Sequence, residues 1–190
     1  MDMGRNEKQV WRSLESNLKD LAKRVDLFCI ACNTLHYYSD RIIRMGLSAK
    51  FVSIVDPVAD YVKQNGISRM AILGVCSVVE PGMWSPYERL EKTIELERPN
   101  CKRIEELVLL IKKSGADNPS IRRQLTEMIS GLKSETVLLA CTELPLVHIE
   151  VPGKRVIDST LLLADEVVRL SVLHYDRRET STSLSTEEGS

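Results

Sequence analysis

The chain has 190 residues, 43% of them hydrophobic and 28% charged, which is enough for one full globular domain or two small ones. Its 26 Lys and Arg residues nearly balance 27 Asp and Glu residues, which argues against a nucleic-acid-binding surface. No apolar run approaches the ~18 residues needed to span a membrane, and residues 1–9 are too polar for a secretory signal. The five cysteines lie mostly in apolar surroundings, so we expect a cytoplasmic protein with free thiols.

Hydrophobic periodicity along the chain predicts helices and strands that alternate. The predicted helices cover residues 7–23, 38–45, 57–66, 104–113, 119–132 and 161–174, and the predicted strands cover 25–30, 51–55, 70–75, 93–96, 137–139 and 155–157. Residues 77–86 form an irregular segment long enough to be a binding loop. The Ser/Thr/Glu-rich tail, residues 177–190, is predicted to be disordered.

This alternation predicts an α/β fold with parallel sheets connected by right-handed crossovers. We expect two small Rossmann-like or flavodoxin-like subdomains, with the active site in the crevice between them. Residues 1–66 together with 152–176 are predicted to form the first subdomain, and residues 67–151 the second. In parallel sheets, ligands bind at the carboxyl ends of the strands, so residues that directly follow strands are the first candidates for a site.

Two cysteines are placed in this way, and each is followed by residues that can form hydrogen bonds. Cys32 follows the apolar run 27–30, and Cys141 follows the run 137–139. A thiol is most reactive as a thiolate, whose formation is favoured near helix N-termini. The neighbouring residues able to hold a carboxylate are Asn33, Thr34, Thr142 and Glu143. The alternative is that both cysteines are small buried residues that close their strands.

The other cysteines and the histidines suggest further hypotheses. Cys29 and Cys32 form a C-x-x-C pair, which is compatible with a thiol redox module. No second such pair and no histidine cluster supports a zinc site in the sequence. Cys76 either lines the same crevice or is buried. His36 either helps hold the loop of Cys32, contacts a ligand or lies on a helix surface.

At these residues the chain resembles the aspartate/glutamate racemase family. Residues 32–36 match the first signature, Cys-Asn-Thr followed by a small or apolar residue and His. Residues 141–146 match the second, Cys-Thr-Glu-Leu-Pro-Leu, and residues 158–160 match the Asp-Ser/Thr-Thr segment before the last helix. The resemblance covers residues 10–175.

The resemblance implies a racemase that needs neither pyridoxal phosphate nor any other cofactor or metal. One cysteine removes the α-proton of aspartate or glutamate, and the other protonates the opposite face. It assigns the two bases to Cys32 and Cys141, and the substrate contacts to Asn33, Thr34 and Thr142, with Glu143 binding the ammonium group or capping a helix. A small amino acid is then the partner, without nucleic acid or membrane, and a homodimer is possible through the helix that carries Trp11.

The chain departs from the family pattern in two places. The family has a strand, a Gly-rich turn, a helix and a second strand before the first cysteine, so the first subdomain is expected to be shortened at its N-terminus. The family's Gly-Thr-x-x-Thr loop is replaced by residues 74–79, which lack threonine, so Ser77 or Ser85 is the candidate replacement donor. The alternative function is therefore a shortened, catalytically impaired family member that binds a small carboxylate or a partner.

Overall fold

The computed structural model describes residues 3–82 and 85–187, with side chains described for residues 6–82 and 85–173. The helices are α1 (Met3–Leu21), α2 (Ser39–Arg44), α3 (Val55–Gln64), α4 (Cys76–Val79), α5 (Cys101–Ser114), α6 (Pro119–Ser130) and α7 (Ser159–Glu187). The strands are β1 (Leu27–Cys29), β2 (Lys50–Val52), β3 (Arg69–Leu73), β4 (Glu95–Glu97), β5 (Thr136–Leu139) and β6 (Arg155–Asp158).

The strands form two separate sheets, and every described pairing is parallel. Strands β1 and β2 make a two-stranded sheet, in which Phe28 pairs with Phe51. The second sheet has the order β4-β3-β5-β6, with Leu73 opposite Leu139 and Leu138 opposite Ile157. Parallel neighbours need long crossovers, and helices supply them here. The predicted α/β class with two parallel sheets is confirmed.

The four-stranded sheet is buried on both faces, because successive side chains of a strand point to opposite sides. On one face, Ile72 and Leu138 belong to an apolar cluster with residues of α3 and α7. On the other face, Leu73 and Leu139 pack with the apolar stripes of α5 and α6. The helix stripes comprise Ile104, Leu107, Val108, Ile111, Ile121, Leu125 and Ile129. Burial on both faces explains why β5 reads as an uninterrupted apolar run.

The two-stranded sheet lies on the other side of α3 and α7. Val52 of β2 belongs to the same apolar cluster as α3 and α7, whereas Phe28 of β1 faces a third cluster with α1 and α2. In that cluster the ring of Trp11 lies 5.4 Å from the ring of Tyr38, centroid to centroid. The apolar stripe of α1 therefore has partners within the chain. The homodimer stays a prediction.

The placement of the last strand differs from the predicted subdomain division. The sequence assigns residues 152–176 to the first subdomain, but β6 pairs with β5 in the four-stranded sheet. The helix that follows, α7, does return to β1, β2 and α3. Strand pairing depends on the partner's exposed edge, which sequence periodicity does not encode. The bounds 1–66 and 67–151 otherwise stay a prediction.

The end of the chain also differs from its prediction. Helix α7 continues through residue 187, across most of the tail that was predicted to be disordered. Residues 177–187 contain no Gly or Pro, so nothing in the backbone chemistry stops the helix there. The remaining tail residues, 188–190, lie outside the described residues. In the described part of the chain, no helix is both long and apolar enough to cross a membrane.

Candidate active site

The two cysteine motifs meet at one crevice of about 260 Å³. Its walls come from the carboxyl ends of β3 and β5, the segment that follows β1, and one face of α5. The lining residues are Cys32, Asn33, Thr34, Val75, Glu105, Val108, Leu109, Lys112, Ala140, Cys141, Thr142 and Glu143. The volume lies just below the range of about 300–1,000 Å³ that is usual for ligand pockets, which favours a small ligand.

Gly74 allows the ends of β3 and β5 to approach closely beneath this crevice. A Cβ atom at residue 74 would lie 3.0 Å from the carbonyl oxygen of Ala140 and 3.0 Å from Cγ1 of Val79. The amide of Ala140 donates a hydrogen bond of 2.7 Å to the carbonyl of Leu73. A side chain at residue 74 would therefore crowd the end of β5, which Cys141 closely follows.

Cys141 lies in a charged network at the inner end of the crevice. The residue is only 9% exposed, and its thiol donates a hydrogen bond of 2.9 Å to Oε2 of Glu143. The hydroxyl of Thr142 donates to the same oxygen at 3.1 Å. The other carboxylate oxygen of Glu143 lies 2.8 Å from Nζ of Lys112, which reaches across from α5. The carboxylate thus connects a buried thiol to an ammonium group.

The network sets the protonation states of its members. Burial, followed by the hydrogen bond to Glu143, raises the pKa of the Cys141 thiol to about 12. Burial opposes ionisation of Glu143, but the hydrogen bonds from Cys141 and Lys112 outweigh it and lower the pKa of Glu143 to about 2. The hydrogen bond to Glu143 also raises the pKa of Lys112. At neutral pH the group therefore consists of a thiol, a carboxylate and an ammonium ion.

Cys32 has different surroundings and is held through its backbone. It is half-buried, its backbone is extended, and its amide donates a 2.8 Å hydrogen bond to the carbonyl of Ile30. The carbonyl of Cys32 lies 2.9 Å from Nδ1 of His36, and the amide of Ile54 donates to Nε2 of the same ring at 2.9 Å. These two bonds assign the proton to Nδ1. Burial lowers the pKa of His36, so the ring is neutral.

The predicted substrate contacts are only partly brought together. Thr34, Thr142, Asn33 and Glu143 line the crevice, together with both thiols. The carboxylate of Glu143 bonds its neighbours rather than capping the short 3₁₀ turn that follows it, so the capping alternative is wrong. The amide of Asn33 already has hydrogen-bond partners at both ends, on Tyr87 and Ser159.

The remaining three candidates do not line the crevice. His36 and Ser85 line a separate cavity of about 220 Å³. The hydroxyl of Ser85 donates to the carbonyl of Val78 at 2.7 Å, because the turn after α4 places it over that carbonyl. Ser77 is half-buried within α4 itself. His36 instead fits the alternative in which it holds the loop of Cys32.

Sequence reasoning missed the contribution of α5. Glu105, Val108 and Lys112 share one face of this helix, since residues three, four and seven apart align, and all three line the crevice. Lys112 reads as an ordinary basic residue in the last helical turn. The apolar stripe through Val108 marks which face is inward, and Glu105 and Lys112 flank it. Their position beside the inward face is the sequence signal that could have marked Glu105 and Lys112 as residues of the crevice.

The free-thiol prediction is wrong for two of the five cysteines. Cys76 and Cys101 form a disulfide that ties the start of α4 to the start of α5. Their sulfurs and the carboxylate of Glu80 form the only cluster of potential metal ligands found among residues 3–82 and 85–187, and its sulfurs bond each other. The thiols of Cys29, Cys32 and Cys141 are free. Cys29 packs against the apolar cluster around α3, as a core residue would.

A larger cavity of about 730 Å³ lies at the opposite end of the four-stranded sheet, where its strands begin. It is lined mainly by turns and by the basic residues Arg69, Lys133, Lys154 and Arg155. Arg69 is paired with Glu95, and Lys154 donates to the carbonyls of Leu132 and Ser134. Two of the four basic side chains of this cavity therefore already have partners within the chain.

A family model and curated relatives both match most of this chain, and all of them are described as racemases. The model of the Asp/Glu/Hydantoin racemase family matches residues 3–167. Glutamate racemase 3 of Caldanaerobacter subterraneus is 28% identical over 167 residues, which cover 86% of this chain and 58% of that relative. A glutamate racemase of Exiguobacterium sibiricum is 28% identical over 70% of this chain and 50% of its own length. This chain thus spans between half and three fifths of these curated relatives.

Solved structures share the fold. An aspartate racemase homologue from Pyrococcus horikoshii superimposes with a TM-score of 0.66 at 26% identity, covering 85% of this chain and 76% of that one. Glutamate racemase from Thermus thermophilus gives a TM-score of 0.68 at 22% identity, covering 92% of this chain and 67% of that one. At the lower identity, the likeness extends to the fold alone.

Proposed function

This chain belongs to the Asp/Glu/Hydantoin racemase family, and from that premise we propose that it racemises a small acidic amino acid without a cofactor. The observation that carries the proposal is that two free thiols, Cys32 and Cys141, arrive from different sheets and line one crevice. A substrate held between them would present one face of its α-carbon to each sulfur. Two opposed acid/base groups are what inversion at a carbon by proton transfer requires.

The reaction transfers two protons and leaves the net composition unchanged. In one direction, the Cys32 thiolate takes the α-proton, and the C–H bond electrons move onto the α-carbon and its carboxylate. Cys141, which is held as a thiol, then gives its proton to the other face. In the reverse direction the roles exchange: the Cys141 thiolate that the forward step leaves takes the α-proton, and the Cys32 thiol that the forward step leaves protonates the other face.

Lys112 supports the choice of an acidic substrate. Its ammonium group lines the crevice, and its side chain is 58% exposed, so it can approach a ligand while remaining near Glu143. A positive charge at this position would attract a substrate carboxylate and stabilise negative charge that develops at the α-carbon. The hydroxyls of Thr34 and Thr142 are the nearby neutral donors. Aspartate and glutamate are the substrates to test first.

A second candidate function is supported by the small size of the first sheet. Only two strands, β1 and β2, pair beside the Cys32 segment in the described residues. A crevice with a reduced wall would still bind a small carboxylate through Lys112 without holding its α-carbon between the thiols. The protein would then be a carboxylate-binding member of the family that lacks turnover.

Proton exchange distinguishes these candidates. The protein is incubated in heavy water with L- or D-aspartate or glutamate, and deuterium at the α-carbon is followed by proton NMR while chiral chromatography follows inversion. The variants Cys32→Ala and Cys141→Ala should lose inversion. Cys29→Ala is the matched control, because Cys29 is free but packs in the core, and it should keep the wild-type rate.

Two results would overturn the racemase proposal. One is the absence of exchange in a protein whose cooperative thermal transition shows that it is folded. The other is inversion that persists at the wild-type rate in both alanine variants. Binding of an acidic amino acid, measured by calorimetry in the absence of exchange, would instead establish the carboxylate-binding function.

We also propose that the protein acts in the cytoplasm. Thiol catalysis needs reduced sulfurs, and glutathione and thioredoxin keep accessible thiols reduced there. Cys32 and Cys141 both carry free thiols, which supports this location, whereas the Cys76–Cys101 disulfide is of a kind that is rare there. Fractionation of cells that express the tagged protein tests it, and recovery outside the cytoplasmic fraction would contradict it.

A further inference from the structure

A buried chain of hydrogen bonds connects the two cysteine motifs behind the crevice. The hydroxyl of Tyr87 donates to Oδ1 of Asn33 at 2.5 Å. Nδ2 of Asn33 donates to the hydroxyl of Ser159 at 3.3 Å, and that hydroxyl donates to the carbonyl of Leu139 at 2.9 Å. Tyr87 is 1% exposed, Asn33 3% and Ser159 0%. This series of hydrogen bonds thus connects Asn33, the residue next to Cys32, with Leu139, two residues before Cys141.

The hydrogen bonds allow only one direction of donation. The Leu139 carbonyl can only accept, so the Ser159 hydroxyl must donate to it and must accept from Asn33. The amide nitrogen of Asn33 therefore faces Ser159, and its oxygen faces Tyr87. Burial raises the pKa of Tyr87, so its hydroxyl keeps the proton that it donates. Tyr87 is thus the group that completes the hydrogen bonding of Asn33.

Three distant parts of the sequence converge at this point. Asn33 begins the 3₁₀ turn after Cys32, Tyr87 lies between β3 and β4, and Ser159 is the first residue of α7. Leu139 is the last residue of β5. The segments that carry the two thiols belong to different sheets, so their relative position depends on contacts such as these.

We propose that Tyr87 is a positioning residue for the thiol pair, because its hydroxyl fixes Asn33 and thereby holds Cys32 in register with the end of β5. This role rests on the proposed racemase function. Tyr87 itself does not line the crevice. The variant Tyr87→Phe keeps the buried ring but leaves the Asn33 oxygen without its donor, and it frees the amide to turn. Cys32 would then shift relative to Cys141.

Such a shift lowers the rate of inversion more than the rate of exchange with retention of configuration. Exchange with retention needs one thiol alone, which takes the α-proton, trades it with solvent and returns a deuteron to the same face. Inversion needs both thiols correctly placed, and misplacement by about 1 Å can cost on the order of 10²-fold in rate. The ratio of inverted to retained deuterated product therefore reports on alignment, whereas a smaller folded fraction lowers both products equally.

The experiment compares wild-type protein with Tyr87→Phe, Ser159→Ala and the control Tyr61→Phe, a similar change in α3 away from the crevice. We expect the ratio of inverted to retained product to fall about tenfold or more in Tyr87→Phe, and also to fall in Ser159→Ala. The double variant should show no further fall in this ratio, because both side chains act through Asn33. Tyr61→Phe should keep the wild-type ratio. An unchanged ratio in an active Tyr87→Phe variant overturns the proposal.

A second measurement does not depend on turnover. Alkylation by iodoacetamide, resolved by residue with mass spectrometry, gives the rate at Cys32 relative to the rate at Cys29 in the same molecule. We expect this relative rate to change at least threefold in Tyr87→Phe and to stay constant in Tyr61→Phe. If wild-type protein shows no α-exchange, the racemase function fails. An unchanged alkylation ratio shows separately that Tyr87 does not hold Cys32.

Discussion

Cys32 and Cys141 follow strands of the same kind, yet their surroundings differ. Cys141 follows an inner strand of the four-stranded sheet and is bonded to a carboxylate that an ammonium group neutralises. Cys32 follows a strand of the two-stranded sheet and is held by a neutral histidine that contacts only its backbone carbonyl. The comparison teaches that two similar strand ends supply the sulfurs, while burial and the adjacent Glu143 carboxylate keep Cys141 in its thiol form.

The largest expected effect comes from removing either thiol. Cys32→Ala and Cys141→Ala should each reduce racemisation by about 10²–10⁴-fold, the range for loss of an acid/base group. Each variant retains one thiol, so each should still exchange the α-proton of one enantiomer, and the two variants should prefer opposite enantiomers. Chiral chromatography combined with NMR measures this. The same enantiomer preference in both variants would contradict an arrangement on opposite faces.

Replacing the carboxylate beside Cys141 should have the next largest effect. Glu143→Gln removes the carboxylate that holds the Cys141 thiol and Lys112 in place, and racemisation should fall about 10²-fold. Because the hydrogen bond to the carboxylate contributes to the raised pKa of Cys141, that pKa should move down in the variant. Site-resolved alkylation as a function of pH measures the shift, with Cys32 as the internal comparison. If Cys141 keeps its pH profile, Glu143 does not control its protonation.

The disulfide strengthens the wall of the crevice that α5 forms. Cys101→Ser opens a link across 25 residues of sequence, which should lower the free energy of unfolding by about 3 kcal/mol. Urea denaturation measures the loss. Dithiothreitol should reproduce it in wild-type protein and add nothing in the variant, while Cys29→Ser serves as the cysteine control. Equal stability of oxidised and reduced wild-type protein would contradict the prediction.

The smallest expected effect tests the neutral histidine beside Cys32. Burial lowers the pKa of His36 in the folded state, so below the ordinary value of 6.5 the unfolded chain binds a proton that the folded chain does not. Stability should therefore fall as the pH drops below that value, by at most about 1.4 kcal/mol per pH unit from this residue. Urea midpoints at pH 5 and 7 measure it. His36→Asn should flatten the dependence, and His148→Asn, at an exposed position, should not.

Local patterns predicted the elements, and their limits explain what was missed. The apolar runs before Cys32 and Cys141 placed both thiols at strand ends, because burial of a parallel strand leaves a clear signal. The pairing of β6 with β5 was not predictable, since neither strand encodes its partner. Cys76 and Cys101 lie 25 residues apart without a recognisable spacing. In the sequence Lys112 is indistinguishable from a surface lysine, because its partner Glu143 belongs to the opposite wall of the crevice.

Gly74 fixes the half of the crevice that carries Cys141 against the neighbouring strand. The amide of Ala140 is bonded to the carbonyl of Leu73, and the absence of a side chain at residue 74 leaves the two strand ends in contact. Parting β3 from β5 to admit a substrate would break that bond and open a void beneath Cys141. The wall that carries Cys141 is therefore fixed against β3, and the Cys32 segment, which belongs to a separate sheet, is held against that wall through Asn33 and Ser159.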